Sequence, residues 1–137
     1  MASQLKIEQP WAVVADDNPL IAVQACDILQ DVGFKAISAA DAEAALGRLT
    51  AIGPVARLLV TDIDMPGPID GLTLARTVAA RWPHITILII SGKIEPQASE
   101  MPRRAMFLRK PFSAAMLAFR VARAMPPAPP ANTDGGA

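Results

Sequence analysis

Three carboxylates, a hydroxyl and an ammonium stand out in this chain because each follows a short apolar run. Asp16-Asp17 follow Trp11–Ala15, Asp62 follows Arg57–Thr61, Ser91 follows Ile85–Ile90, and Arg109-Lys110-Pro111 follow Ala105–Leu108. Carboxylates gathered at one place repel one another unless a cation sits among them, and an all-oxygen site with open positions suits a hydrated Mg²⁺. With a phosphoryl group present, Lys110 and the metal would neutralise its oxygens and the Ser91 hydroxyl would donate a hydrogen bond. One carboxylate, Asp62, is then left to attack phosphorus. Taken singly, each residue has a plainer role: Asp16-Asp17 as a solvated turn before a helix cap, Ser91 as a loop residue before glycine, Lys110 as a solvated strand end, Phe107 as core. Their joint placement is what points to a site.

That placement depends on the elements between them. The runs Trp11–Ala15, Phe34–Ser38, Arg57–Thr61, Ile85–Ile90 and Ala105–Leu108 are rich in Val, Ile and Leu and read as strands buried on both faces. Segments of helical period, Pro19–Gln30, Ala42–Leu49 and Leu72–Arg81, alternate with them, opened by the capping types Asn18, Asp41 and Asp70. Gly33 fits a helix stop. Such alternation argues for an α/β fold, a doubly wound parallel sheet covered by crossover helices, with ligands bound at the carboxyl ends of the strands. Between Ser91 and Met106, Pro96 and Pro102 leave room for about one turn of helix, so the fourth helix is expected to be short or irregular. A last amphipathic segment, Ala114–Met125, precedes a Pro/Gly-rich stretch.

Composition sets outer bounds. A length of 137 residues suits one domain, here 10–125, with an N-terminal extension (1–9) and a disordered tail (126–137). Thirteen basic and thirteen acidic side chains balance, which disfavours direct binding to nucleic acid. Cys26 is the single cysteine, so no internal disulfide can form, and it reads as a buried small apolar residue. Residues 1–9 lack the pattern of a signal peptide, and no apolar run approaches the roughly 20 residues of a membrane span, so a soluble cytoplasmic protein with no membrane partner is expected.

The set Val14-Ala15-Asp16-Asp17-Asn18, Leu58–Gly67 around Asp62 with Asp70-Gly71 following, Ile90-Ser91-Gly92 and Leu108-Arg109-Lys110-Pro111-Phe112 resembles the receiver domain of two-component response regulators. The resemblance runs from about Trp11 to Met125. It implies a five-stranded parallel sheet in the flavodoxin-like order 2-1-3-4-5. It implies a phosphoryl group accepted on Asp62 from a histidine kinase or phosphotransfer protein, with Mg²⁺ held by Asp16, Asp17, Asp62 and the backbone carbonyl of Asp64. Ser91 and Lys110 would then contact the phosphoryl oxygens, and Phe107 would be the aromatic that turns inward on activation. A cis Lys110–Pro111 bond is also implied. The chain would be a stand-alone phosphoprotein that signals to an unidentified partner, rather than an enzyme; a phosphoryl sink or relay intermediate is the alternative within the same family.

The Met65–Gly71 loop has one residue more than the commonest receiver loop, and the stretch after Ser91 is short and proline-broken, both as in a subgroup of stand-alone receivers. Phe107 lacks the hydroxyl that many relatives carry, so a switch there acts through ring packing. Asp64 and Lys93, each two residues past a site residue, flank the path of a hydrolytic water. Asp62-Ile63-Asp64 also resembles the opening motif of haloacid-dehalogenase-type phosphohydrolases, but Pro66 departs from that motif and Asp134 is the only acid after Lys110. His84, after Trp82-Pro83, reads as a surface loop histidine.

Overall fold

A computed structural model describes residues 9–93 and 95–125; the expected tail, 126–137, and all but Gln9 of the expected extension lie outside them. Five strands, β1 (Trp11–Ala15), β2 (Lys35–Ala39), β3 (Ala56–Asp62), β4 (Thr86–Ser91) and β5 (Met106–Arg109), form one parallel sheet in the order β2-β1-β3-β4-β5. Four α-helices connect or flank them: α1 (Pro19–Asp31), α2 (Ala42–Ile52), α3 (Gly71–Arg81) and α4 (Ala114–Ala124).

Side chains of a strand alternate between faces, and in the three central strands both faces are apolar. Ala12, Val14, Leu58, Val60, Leu88 and Ile90 join Ala25, Leu29, Leu117 and Val121 in one core under α1 and α4. Val13, Ala15, Leu59, Ile87 and Ile89 join Ala45, Leu49, Leu74 and Val78 in the other, under α2 and α3. Burial on both faces fails at the two edge strands. In β2 only Ala39 is fully buried, and in β5 only Leu108. An edge strand has a neighbour on one side only, so its outer side chains stay half in water.

The caps form as their residue types suggest. Asn18 Oδ1 accepts from the amides of Leu20 (3.0 Å) and Ile21 (3.3 Å), Asp41 from Ala44 (2.8 Å) and Asp70 from Thr73 (2.9 Å). Gly33 follows α1 at φ +108°, a region that glycine enters without a Cβ clash. The crossover from β4 to β5 carries a single 3₁₀ turn, Ala98–Glu100, where the other strand connections carry α-helices. Cys26 is half-buried rather than buried, on the flank of the α1–α4 core, and burial, then the neighbouring Asp27, raise its thiol pKa. No described helix is long and apolar enough to cross a membrane.

Candidate functional site

Parallel strands all end at the same edge, so the last residues of β1, β3, β4 and β5 open onto a common rim. Register sets them level: Ala15 pairs with Thr61, Asp62 with Ile90, and Ser91 with Arg109. One carboxylate oxygen each from Asp16, Asp17 and Asp62 lies within 4.8 Å of the others. Asp16 and Asp62 are buried, at 2% and 6% exposure, and Asp17 is open to water.

Backbone donors aim the two buried acids. Asp16 Oδ1 accepts from the Asn18 amide (2.9 Å), so one residue caps α1 while its backbone orients the neighbouring carboxylate. Asp62 Oδ1 accepts from the Ile63 amide (2.9 Å). Their second oxygens face Lys110, whose Nζ lies 3.0 Å from Asp16 Oδ2 and 3.4 Å from Asp62 Oδ2. Burial pushes the Asp62 carboxyl above its ordinary range; Lys110 opposes that shift and Asp16 adds to it.

The Lys110 amide donates to the Ser91 carbonyl (3.0 Å), which ties the lysine to the end of β4, and the Lys110–Pro111 bond is cis. Ser91 is buried, and its Oγ accepts from the Lys93 amide (3.3 Å). Phe107, half-buried, packs against the α2–α3 core level with Ile89. Asp64 lies at the exposed rim, and its Oδ2 stands 4.0 Å from Lys93 Nζ. His84 is exposed beyond the opposite end of β4, away from these residues.

Two residues that shape this rim had no role from sequence patterning. Gly71 opens α3 with its amide donating to the Ile63 carbonyl (2.9 Å), and a Cβ there would collide with the Asp62 carbonyl. Only glycine lets α3 start this close to the end of β3. Thr61 is buried and donates through Oγ1 to the Asp62 carbonyl (2.9 Å). The Asp70-Gly71 pair was the one available signal, and it carries no mark of the partner across space.

The oxygens present fit a divalent cation. Three carboxylates and one ammonium leave two negative charges uncompensated, and Asp16 Oδ2, although close to Lys110, is buried without an aligned hydrogen-bond donor. An oxygen-binding metal of charge +2 matches both features.

Comparison with known proteins bears on the same residues. A family model described as the response regulator receiver domain matches residues 12–122. The nitrogen assimilation regulatory protein NtrX of Azorhizobium caulinodans is 34% identical over 117 residues, covering 82% of this chain and 25% of that protein. The chain thus spans about a quarter of that relative, and between a tenth and about a third of three others that it matches. Among solved structures, a receiver protein from Sinorhizobium medicae superposes with TM-score 0.79 at 28% identity, over 87% of this chain and 96% of that one. The receiver domain of NtrX from Brucella abortus superposes with TM-score 0.73 at 33% identity, over 82% and 96%. With its family match, its 2-1-3-4-5 sheet and its acidic rim in agreement, the chain belongs to the response regulator receiver family.

Proposed function

We propose that the chain is a phosphorylation-controlled switch in which Asp62 accepts a phosphoryl group from a histidine kinase or phosphotransfer protein and the modified protein signals by binding another protein. The observation that carries this is the Asp62 carboxylate, buried at the end of β3 with one oxygen held by the Ile63 amide and the other facing Lys110. Asp62 attacks phosphorus, the bond from phosphorus to the donor nitrogen breaks, and the donor imidazole leaves with the electron pair. Lys110 offsets charge on the phosphoryl oxygens, and the Ser91 hydroxyl donates to one of them.

Receiver domains bind Mg²⁺ through an acidic pocket. Here Asp16, Asp17 and Asp62, with the Asp64 carbonyl, are the residues that would hold it. Bound there, Mg²⁺ supplies positive charge against the developing phosphoryl charge. Phe107, which has no hydroxyl, would respond by ring packing as Ser91 turns toward the phosphoryl group. Lys93 and Asp64, 4.0 Å apart at the exposed rim, would tune how long the group survives by screening the path of water. Unchanged dephosphorylation in Asp64→Asn and Lys93→Ala disposes of that role.

Within this reading the receiver domain spans 10–125, acts in the cytoplasm and is not itself an enzyme. The phosphohydrolase alternative leaves Asp16 and Asp17 without a task although both share the rim with Asp62. Intact mass after incubation with Mg²⁺ and acetyl phosphate tests the proposal. A transient single phosphoryl adduct is expected, absent in Asp62→Asn and with a chelator. Failure of the wild-type protein to take up any adduct overturns phosphotransfer, and adduct that persists in Asp62→Asn moves the acceptor elsewhere. Steady turnover of a phosphate ester would restore the hydrolase. Transfer from the adduct to a phosphotransfer protein, faster than loss to water, would mark a relay intermediate or sink.

A further inference from the structure

A cleft of about 830 Å³ lies at the edge of the sheet opposite the carboxylates. The amino ends of β4 and β5 and the carboxyl ends of α3 and α4 meet there, and Pro83, His84, Pro102, Arg103, Arg104 and Arg123 line it. A volume of 300–1,000 Å³ or so is the range of small-molecule sites.

Its charge is one-sided, with three arginines and no acid among the described lining residues. Glu100, the nearest acid in sequence, turns its carboxylate to the Gln97 amide (2.8 Å). Arg103, Arg104 and Arg123 form no ion pair with any described residue. Arg123 has a local explanation, since it sits in the last turn of α4, where a cation complements the helix dipole, and it stacks near Phe119. Arg103 and Arg104 have none. They occupy the exposed turn before β5, on no helix. Among the described lining residues every full cation is a guanidinium, the planar fork that grips phosphate through two parallel hydrogen bonds. Proline, alanine and the Met125 side chain supply apolar walls between them.

We propose that this cleft binds an organic phosphate of nucleotide size, with Arg103 and Arg104 on the phosphates and the Pro83–Pro102 walls against the organic part. The site is separate from the acidic rim and does not depend on phosphorylation of Asp62. An acidic peptide would also answer the charge, but a bounded pocket with apolar walls favours a compact ligand over an extended one.

Isothermal titration of the purified full chain with ADP, in a chelator so that no metal-bound nucleotide reaches the acidic rim, tests this. Inorganic phosphate and a glutamate-rich peptide form parallel arms. Saturable ADP binding is expected, weakened about tenfold in Arg103→Ala and again in Arg104→Ala, as befits loss of a hydrogen bond to a charged group. Arg104→Lys, which keeps the charge but not the fork, should lose most of what Arg104→Ala loses, and binding should be kept in Lys35→Ala, an exposed cation on β2. All variants should show the wild-type thermal midpoint, which excludes misfolding. No saturation with ADP overturns the proposal. So does an equal loss in Lys35→Ala, which would mark unspecific charge attraction. Binding of the peptide in preference to ADP would reassign the cleft to a protein partner, and phosphate binding as tight as ADP would remove the role of the apolar walls.

Discussion

The two edges of one sheet handle charge in opposite ways. At the carboxyl edge, Asp16 and Asp62 are buried, each has one oxygen bound by a backbone amide, and Lys110 sits 3.0–3.4 Å from the other two oxygens. At the amino edge, Arg103 and Arg104 stand exposed with no charged partner among the described residues. Formal net charge is zero, yet Asp16 and Asp62 lie at one end of the strands and Arg103 and Arg104 at the other. Buried charge is costly unless the protein supplies its partners, so the carboxyl edge is dense with fixed contacts. Exposed arginines are solvated at little cost, so the amino edge needs no such framework. Stability should therefore depend strongly on the first edge and hardly at all on the second.

Gly71→Ala should break this contrast most severely. A methyl group would have to enter the space of the Asp62 carbonyl, so the start of α3 or the end of β3 must shift. We expect a loss of about 3 kcal/mol in denaturant unfolding, with acetyl phosphate labelling of Asp62 reduced or lost. A wild-type midpoint and full labelling would show that α3 yields without disturbing the site.

Asn18→Ala removes the acceptor for two α1 amides and should cost about 1 kcal/mol. Because the Asn18 amide that aims Asp16 is backbone, labelling should survive where stability falls. Loss of labelling with little loss of stability would instead give the side chain a part in the site.

The raised Asp62 pKa carries a direction in pH. Burial is its main cause, so the folded state keeps this proton at pH values where the unfolded chain has released it. Its stabilising share is full below the ordinary value of 3.8 and is lost as pH rises through the raised value. In a chelator, thermal unfolding should therefore show Asp62→Asn gaining on the wild type as pH rises over that window, and Mg²⁺ should narrow the gap at neutral pH. A gap independent of both pH and Mg²⁺ would mean that the gain comes from packing rather than charge.

Arg103→Ala with Arg104→Ala should change stability by less than about 0.5 kcal/mol. A larger loss would mean that these side chains hold the β4–β5 crossover together, and the two edges would no longer differ as described.

Much of this was legible in the residues themselves. Alternating apolar runs and helical segments specified the α/β class, because a continuous short apolar run and a period of 3.6 are local properties of the chain. Asn18, Asp41 and Asp70 marked helix starts, because a cap satisfies amides two or three residues away. Charged residues at the ends of successive apolar runs located the rim, since parallel strands must all end on one side. What the tertiary structure alone decided involves partners distant in sequence or position in the finished sheet. β2 and β5 are half-exposed because they form its edges, a property of strand order rather than of their own residues. Gly71 matters because α3 begins against the Asp62 carbonyl, and the arginine cleft exists because the ends of α3, α4, β4 and β5 meet. Local periodicity says which face of an element is apolar, but only the packed sheet determines which elements touch.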